Sequence, residues 1–173
     1  EADWSSAAFL YEILSLSNQN KITANKLSLH SIQGDKLISE LMNEVGIATT
    51  GRNNSVVLEK KLTRKISRTS IDLSSTPDLF PALICIYAAL GLKKKFTGLH
   101  HLQFKESNRV KRISEELKQT GIQISIGKND IFISGRVKKR LYRMNSHNDH
   151  RLAMAFAPLA LVTGEIEIEN PDC

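Results

Sequence analysis

Cysteine, aromatic residues and long apolar runs are all scarce in this chain of 173 residues. The two cysteines are Cys85, in an apolar run, and Cys173, at the last position. They fit neither a disulfide framework nor a zinc site, and they suit a reducing compartment. The longest strongly apolar stretch, residues 79–92, is too short to span a bilayer and contains Pro81. We therefore expect no membrane anchoring and no disulfide scaffold.

The chain has about the length of one domain. Its share of hydrophobic residues, 41%, is typical of a globular protein, which excludes a disordered chain. It opens with Glu1-Ala2-Asp3 rather than Met and shows no signal-peptide pattern. We expect a cytoplasmic piece of a longer protein.

Positive charge is in moderate excess. The 24 Lys and Arg residues against 18 Asp and Glu give a net charge of +6 at pH 7. Such a charge permits nucleic acid, anionic lipid or phosphorylated metabolites as partners. Aromatic residues are only 6% of the chain, and no basic stretch is interleaved with Phe or Tyr. This pattern disfavours nucleic acid as a partner.

An internal repeat organises the chain, because residues 35–58 and 110–133 carry the same pattern. Each copy predicts an amphipathic helix, then a glycine suited to the left-handed position after a helix (Gly46 or Gly121), then a strand hairpin.

Helices that are apolar on almost all sides precede these copies, and they should be buried. They begin near residues 3, 77 and 148, and the last two end at Gly91 and Gly164. Short strands are predicted after them at residues 22–27, 95–98 and 165–169. The units cover about 1–70, 71–140 and an incomplete 141–173, which predicts an α/β (α+β) fold.

Polar and charged segments stand just ahead of three helices: Thr76-Pro77-Asp78, Lys105-Glu106-Ser107-Asn108-Arg109 and Asn148-Asp149-His150-Arg151. Helix starts attract anions through unpaired N–H groups and a partial positive charge. Arg109 and Arg151 oppose that charge at a cost of about 0.3–1 kcal/mol each. A shared anionic ligand would explain both arginines, which should then face one concave, solvent-open surface.

Each segment also has a purely structural interpretation. Glu106 with Arg109, or Asp149 with Arg151, would be local ion pairs of small energy. Asp78 is in a position suited to capping a helix, and His150 is in a position suited to capping or to facing solvent.

The position of Asp78 follows from the prolines next to it. Phe80 precedes Pro81 and is biased away from helical angles. Asp78 is therefore expected at or just outside its helix start. The histidines show no metal-ligand spacing, so no metal site is expected.

Together these segments resemble the EPSP synthases, the 3-phosphoshikimate 1-carboxyvinyltransferases. Residues 105–109 (KESNR) are similar to the K-E-[ST]-D-R signature of that family, and residues 148–154 (NDHRLAM) to its N-D-H-R-M-A-M signature. Three further segments fit in family order: 3–7, 31–35 and 77–82. The resemblance implies a domain of repeated βαβαββ units in an inside-out α/β barrel. Residues 1–173 would form most of the C-terminal globular domain.

The resemblance also implies an activity: transfer of the enolpyruvyl group of phosphoenolpyruvate to the 5-hydroxyl of shikimate 3-phosphate, with release of phosphate. No cofactor is implied. Glu106 would move the methylene proton, and Asp78 and Lys105 would handle the 5-hydroxyl. The implied substrate-binding residues are Asp78, His101, Lys105, Arg109, His150 and Arg151, with the two arginines clamping the carboxylate of phosphoenolpyruvate.

Two positions depart from the family pattern. Asn108 stands where aspartate is common, which weakens any support for Arg109, and His101 stands where some members use asparagine. The remainder of the cleft would come from an N-terminal domain of the same chain. We expect residues 1–173 alone to be inactive and the complete protein to be monomeric.

Two other functions stay open. A transferase acting on UDP-N-acetylglucosamine shares the repeat fold but lacks a match to KESNR. A non-catalytic module that binds anions would also use a basic cleft.

Overall fold

The first sequence unit contains two helices and a three-stranded sheet in the computed structural model, which describes residues 2–173. In chain order the elements are α1 (Trp4–Leu16), β1 (Lys21–Asn25), α2 (Ile38–Val45), β2 (Ile47–Arg52) and β3 (Ser55–Lys60). The strands lie in the order β1-β3-β2 and all pair antiparallel. Helix α2 ends, as predicted, at Gly46, whose φ of 95° is the left-handed conformation that glycine adopts at little cost.

The second unit repeats this arrangement and adds one strand. Its elements are β4 (Ser70–Asp72), α3 (Phe80–Ala89), β5 (Lys94–Thr97), α4 (Arg109–Gln119), β6 (Gln123–Ile126) and β7 (Asp130–Ser134). The sheet order is β4-β5-β7-β6, and β4 runs parallel to β5 through the crossover helix α3. Strand β4 was not found in the sequence because three residues are too few to show an alternating pattern.

The third unit holds a parallel pair of strands joined by a broken helix. Its elements are β8 (Leu141–Asn145), α5 (His150–Phe156), α6 (Ala160–Thr163) and β9 (Glu165–Glu169). The predicted helix end at Gly164 is confirmed, but the helix before it is interrupted, because residues 157–159 form a 3₁₀ turn. Pro158 accounts for the break, since proline donates no backbone hydrogen bond and its ring crowds the preceding turn.

The apolar helices α1, α3 and α5 contact one another, and each packs against the sheet of its own unit. All ten residues of α3 are buried, as its pattern predicts. One core therefore runs through the three units. The complete βαβαββ order of the expected unit is present in the second unit, as β4-α3-β5-α4-β6-β7. Within residues 2–173, no helix combines the length and the apolar character needed to cross a bilayer.

Candidate active site

Three helix starts meet at one end of the helix core. Asp78 lies in the 3₁₀ turn Pro77–Leu79 just before α3, so it stands outside the helix as expected. The reason offered for that position is wrong, because Phe80 adopts helical angles (φ −56°, ψ −47°) and begins α3. Arg109 is the first residue of α4, and Arg151 is the second residue of α5.

The carboxylate of Asp78 contacts cations from two other helix starts. Its Oδ1 accepts a hydrogen bond from Arg109 Nη1 at 2.9 Å and lies 3.3 Å from Lys105 Nζ. Its Oδ2 lies 3.3 Å from Arg151 Nη2. The two arginines therefore lie close enough together for one carboxylate to contact both.

The guanidinium of Arg109 is buried and surrounded by carboxylates. It donates to Asp78, to Glu106 and twice to Asp149, and its side chain has 0% exposure. Burial opposes its charge, but the hydrogen bonds and charge of Asp149, with the charges of Glu106 and Asp78, raise the pKa of Arg109. The expectation that Arg109 faces a solvent-open surface is therefore wrong. Each of its three nitrogens donates to a carboxylate of the protein.

Asp149 belongs to the site although the sequence did not assign it a role there. Its buried carboxylate accepts from Arg109 Nε at 2.8 Å and Nη2 at 3.2 Å, and from Ser107 Oγ at 2.9 Å. It also caps α5 by accepting from the backbone N–H of Arg151 at 3.0 Å. Burial raises the pKa of Asp149, but the hydrogen bond and charge of Arg109, together with the hydrogen bonds from Ser107 and the Arg151 backbone, outweigh burial and hold the pKa below its usual value of 3.8. The predicted local pair of Asp149 with the guanidinium of Arg151 is replaced by these contacts.

The most accessible groups of the cluster are Glu106 and Lys105, while Asp78 and Arg151 are exposed to a smaller extent. The side chain of Glu106 is 46% exposed and that of Lys105 is 35% exposed. Beside Glu106 lies a polar cavity of about 550 Å³, whose lining includes Lys111, Asn148 and Asn170. The site therefore offers an accessible carboxylate and an accessible ammonium beside a buried ion network.

The other two predicted site residues are exposed histidines. His150 is the first residue of α5 and is exposed. His101 is exposed in the 3₁₀ turn His100–Phe104, where its ring lies 3.6 Å from that of His100 between centroids. Within residues 2–173, neither histidine makes a hydrogen bond or ion pair with the cluster. Asn108 caps α4 by accepting from the backbone N–H of Lys111 at 3.1 Å, and the carboxylates that support Arg109 come from other residues.

The first unit also contributes a carboxylate. Asp35 accepts a hydrogen bond from Ser5 Oγ. Burial, together with the nearby negative charge of Asp78, raises the pKa of Asp35. Both residues lie in segments of the family resemblance, 3–7 and 31–35, but no local pattern reports on a contact between them.

The arrangement suits the binding of an anion together with proton transfer. Carboxylates and cations alternate over distances of about 3 Å, and Glu106 and Asp78 can exchange protons with a ligand. Within residues 2–173, no group of three His, Cys, Asp or Glu side chains is arranged to hold a metal ion.

A sequence profile of the family described as EPSP synthase (3-phosphoshikimate 1-carboxyvinyltransferase) matches residues 1–173. The 3-phosphoshikimate 1-carboxyvinyltransferase of Bacteroides fragilis (strain YCH46) is 35% identical, over 99% of this chain and 42% of that protein. The protein of the same name from Methanosphaerula palustris is 33% identical, over 100% of this chain and 40% of its own length. The chain thus spans about two-fifths of the length of these relatives.

The fold agrees with these sequence matches. The structure of EPSP synthase from Acinetobacter baumannii superposes with a TM-score of 0.75 at 22% identity, covering 97% of this chain and 41% of that one. A profile match over the whole chain, together with relatives more than 30% identical, shows that this chain belongs to the EPSP synthase (3-phosphoshikimate 1-carboxyvinyltransferase) family.

Proposed function

We propose that the protein containing this chain transfers the enolpyruvyl group of phosphoenolpyruvate to the 5-hydroxyl of shikimate 3-phosphate and releases phosphate. One observation carries the proposal. The carboxylate of Asp78 contacts Lys105, Arg109 and Arg151. Glu106 pairs with the other terminal nitrogen of the Arg109 guanidinium. Membership of the family supports it.

The proposed reaction is an addition followed by an elimination. An acid protonates the methylene carbon of phosphoenolpyruvate, and the 5-hydroxyl attacks the adjacent carbon and loses its proton. Phosphate then leaves as a proton is removed from the new methyl group, which restores the double bond. The protein must supply one group that gives and retrieves the methylene proton and a second that receives the hydroxyl proton.

Glu106 is our candidate for the methylene proton, because its carboxyl group is accessible and lies beside the cations. Asp78 and Lys105 would handle the 5-hydroxyl from the turn before α3 and the segment before α4. Arg151 would bind the carboxylate of phosphoenolpyruvate, with His150 adjacent, and His101 would contact substrate from its exposed turn.

Arg109 can bind the carboxylate of phosphoenolpyruvate together with Arg151 only after neighbouring side chains move. Its guanidinium is buried against three carboxylates. Contact with phosphoenolpyruvate requires Asp78 or Glu106 to turn toward the substrates and release a donor of Arg109. The substrate carboxylate would then replace a carboxylate of the protein.

In this proposal, residues 1–173 form most of the C-terminal globular domain of the enzyme. An N-terminal domain of the same chain would supply the opposite wall of the cleft and further cations for two phosphates and a carboxylate. The isolated chain would then fold without catalysing the reaction, and the complete enzyme would act as a cytoplasmic monomer.

A phosphate-release assay on the full-length protein tests the function. Phosphoenolpyruvate is supplied with either shikimate 3-phosphate or UDP-N-acetylglucosamine as acceptor. Release with shikimate 3-phosphate alone is the expected result. Phosphate release with UDP-N-acetylglucosamine would instead assign transfer of the enolpyruvyl group to that nucleotide sugar. If neither acceptor gives phosphate release, the protein would be a non-catalytic module that binds anions.

A matched pair of variants ties the activity to the site. Asp78→Asn should remove most turnover, since proton transfer by a positioned group contributes about 10²–10⁴-fold. Asp130→Asn is the control, because Asp130 is also a partly exposed aspartate paired with a lysine, Lys95, at 3.2 Å. Equal activity of the two variants would remove Asp78 from the mechanism.

A further inference from the structure

We propose that Asp149 is a positioning residue of this site, which holds Arg109 and the start of α5 together so that Arg109 and Arg151 reach one substrate carboxylate. The inference rests on the proposed function for its substrate. It adds a residue whose own contact is with the arginines.

Asp149 holds the guanidinium of Arg109 by two hydrogen bonds. Arg109 Nε and Nη2 donate to Oδ2 and Oδ1 of Asp149 at 2.8 and 3.2 Å. Two parallel bonds of this kind fix the plane of a guanidinium as well as its distance. Both side chains have 0% exposure, so water cannot replace either partner. The orientation of Arg109 therefore depends on the Asp149 carboxylate.

Asp149 also caps the start of α5. Oδ1 of Asp149, which accepts from Arg109 Nη2, also accepts from the backbone N–H of Arg151 at 3.0 Å. A single oxygen thus joins the guanidinium of Arg109 to the helix turn that carries Arg151. Ser107 Oγ donates to the other oxygen at 2.9 Å and connects the segment before α4 to the same carboxylate.

The cap of α1 shows that capping alone needs no arginine. Asp3 accepts from the backbone N–H groups of Ser5 and Ser6 at 3.1 and 3.0 Å, and the cap is exposed. Asp149 makes the same kind of cap and in addition is buried against a guanidinium. The two aspartates therefore differ in the contact with Arg109, which is the contact that would serve the site.

Neutralising Asp149 has a specific consequence for the clamp. Arg109 would keep Asp78 and Glu106 as its charged partners, and it would lose the bonds that set its plane. The guanidinium would then shift toward those two carboxylates. Binding of phosphoenolpyruvate should suffer more than the chemical step, since the proposed proton-transfer groups remain in place.

The test compares Asp149→Asn with Asp3→Asn in the full-length protein by steady-state kinetics. Asparagine keeps a side-chain oxygen for the cap and removes the charge in both variants. We expect Asp149→Asn to raise KM for phosphoenolpyruvate about tenfold or more, as the loss of a charge-assisted hydrogen bond predicts. KM for shikimate 3-phosphate and kcat should change less than about threefold, and Asp3→Asn should leave all three constants unchanged. A uniform fall in kcat, or a KM for phosphoenolpyruvate equal to that of Asp3→Asn, would overturn the inference.

Two further measurements keep the test decisive. If Asp149→Asn does not fold, Ser107→Ala removes one hydrogen bond from Asp149 and should raise KM for phosphoenolpyruvate by a smaller factor. An unchanged KM would overturn the inference.

If the wild-type protein shows no turnover with either acceptor, the proposed function fails by itself. The ¹H–¹⁵N NMR signal of Arg109 Nε, assigned with Arg109→Lys, then reports on the contact. It should move in Asp149→Asn and stay in place in Asp3→Asn, and a signal unchanged in both would contradict the positioning role.

Discussion

Arg109 Nη1 donates to Oδ1 of Asp78 over 2.9 Å, although the two residues are 31 positions apart in the chain. This contact joins the start of α4 to the turn before α3. Lys105 and Arg151 contact the same carboxylate, so Asp78 stands where cations from two helix starts converge. An anionic ligand that enters the site must compete with Asp78 for these cations, which connects ligand binding to movement of a proposed catalytic group.

Replacing Glu106 by glutamine should lower kcat by about 10²–10⁴-fold with little change in substrate binding, because an amide cannot transfer the methylene proton. Phosphate release under saturating substrates measures the effect. Glu115→Gln is the matched control, since Glu115 also pairs with an arginine three positions away on the chain and is 45% exposed, against 46% for Glu106. Turnover of Glu106→Gln close to that of the control would exclude Glu106 from proton transfer.

Arg151→Lys should raise KM for phosphoenolpyruvate about 10–100-fold, because an ammonium group cannot make the two parallel bonds that a guanidinium makes to a carboxylate. Steady-state kinetics with phosphoenolpyruvate as the varied substrate provides the measurement. Arg143→Lys serves as the control, because Arg143 pairs with Glu167 at 2.9 Å on the exposed β8–β9 sheet. An unchanged KM in Arg151→Lys would show that Arg151 does not hold the substrate carboxylate.

Glu12 in α1 is fully buried, and within the described residues neither of its carboxyl oxygens has a hydrogen-bond partner. Glu12→Met keeps a long unbranched side chain and removes the unpaired polar atoms, so the free energy of unfolding should rise by about 1–3 kcal/mol at pH 7. Thermal unfolding of the full-length protein measures this change. Exposed Glu59 on β3 gives the control Glu59→Met, which should leave the melting temperature unchanged. A melting temperature of Glu12→Met below that of wild type would show that the glutamate has a stabilising partner.

The same residue predicts a pH dependence of stability. Burial raises the pKa of Glu12 well above its usual value of 4.5. Above pH 4.5 the unfolded chain releases a proton that the folded chain keeps, so stability should fall as pH rises, by up to about 1.4 kcal/mol per pH unit until the folded-state pKa is reached. Glu12→Gln removes this group and should flatten the curve of unfolding free energy against pH in that window. An identical slope in the variant and in wild type would assign the dependence to other groups.

Gly98, just after β5, has a φ of +74°, and an added Cβ would lie 2.8 Å from the Cα of Ser74 and closer still to the Asp72 carboxylate. Gly98→Ala should therefore lower the free energy of unfolding by more than about 1 kcal/mol, through backbone strain and steric overlap. Gly34→Ala is the comparison, since the nearest atom to its added Cβ lies at 3.6 Å and its φ is not positive. Equal denaturation midpoints of the two variants would contradict the strain argument.

Local sequence patterns predicted some helices and strands of this fold and missed others. The helical spacing of apolar residues predicted α2 and α4, and the glycine at 46 predicted where α2 ends. Pro158 indicates a helix break, but the apolar residues on both sides of it favoured a single helix. The break between α5 and α6 was therefore missed. Strand β4 was missed because its three residues are too few to show an alternating pattern and because its partner, β5, lies beyond the helix that follows.

The sequence by itself determined the repeated units, the buried and amphipathic helices and the charged segments at their starts, because periodicity and capping act between residues a few positions apart. Only the tertiary structure decided which charges meet. Arg109 pairs with Asp149 across 40 positions and is buried, so a residue expected to face solvent lies inside an ion network. The partner of a charged side chain depends on distances that the packing of the three units sets, and no local pattern carries those distances.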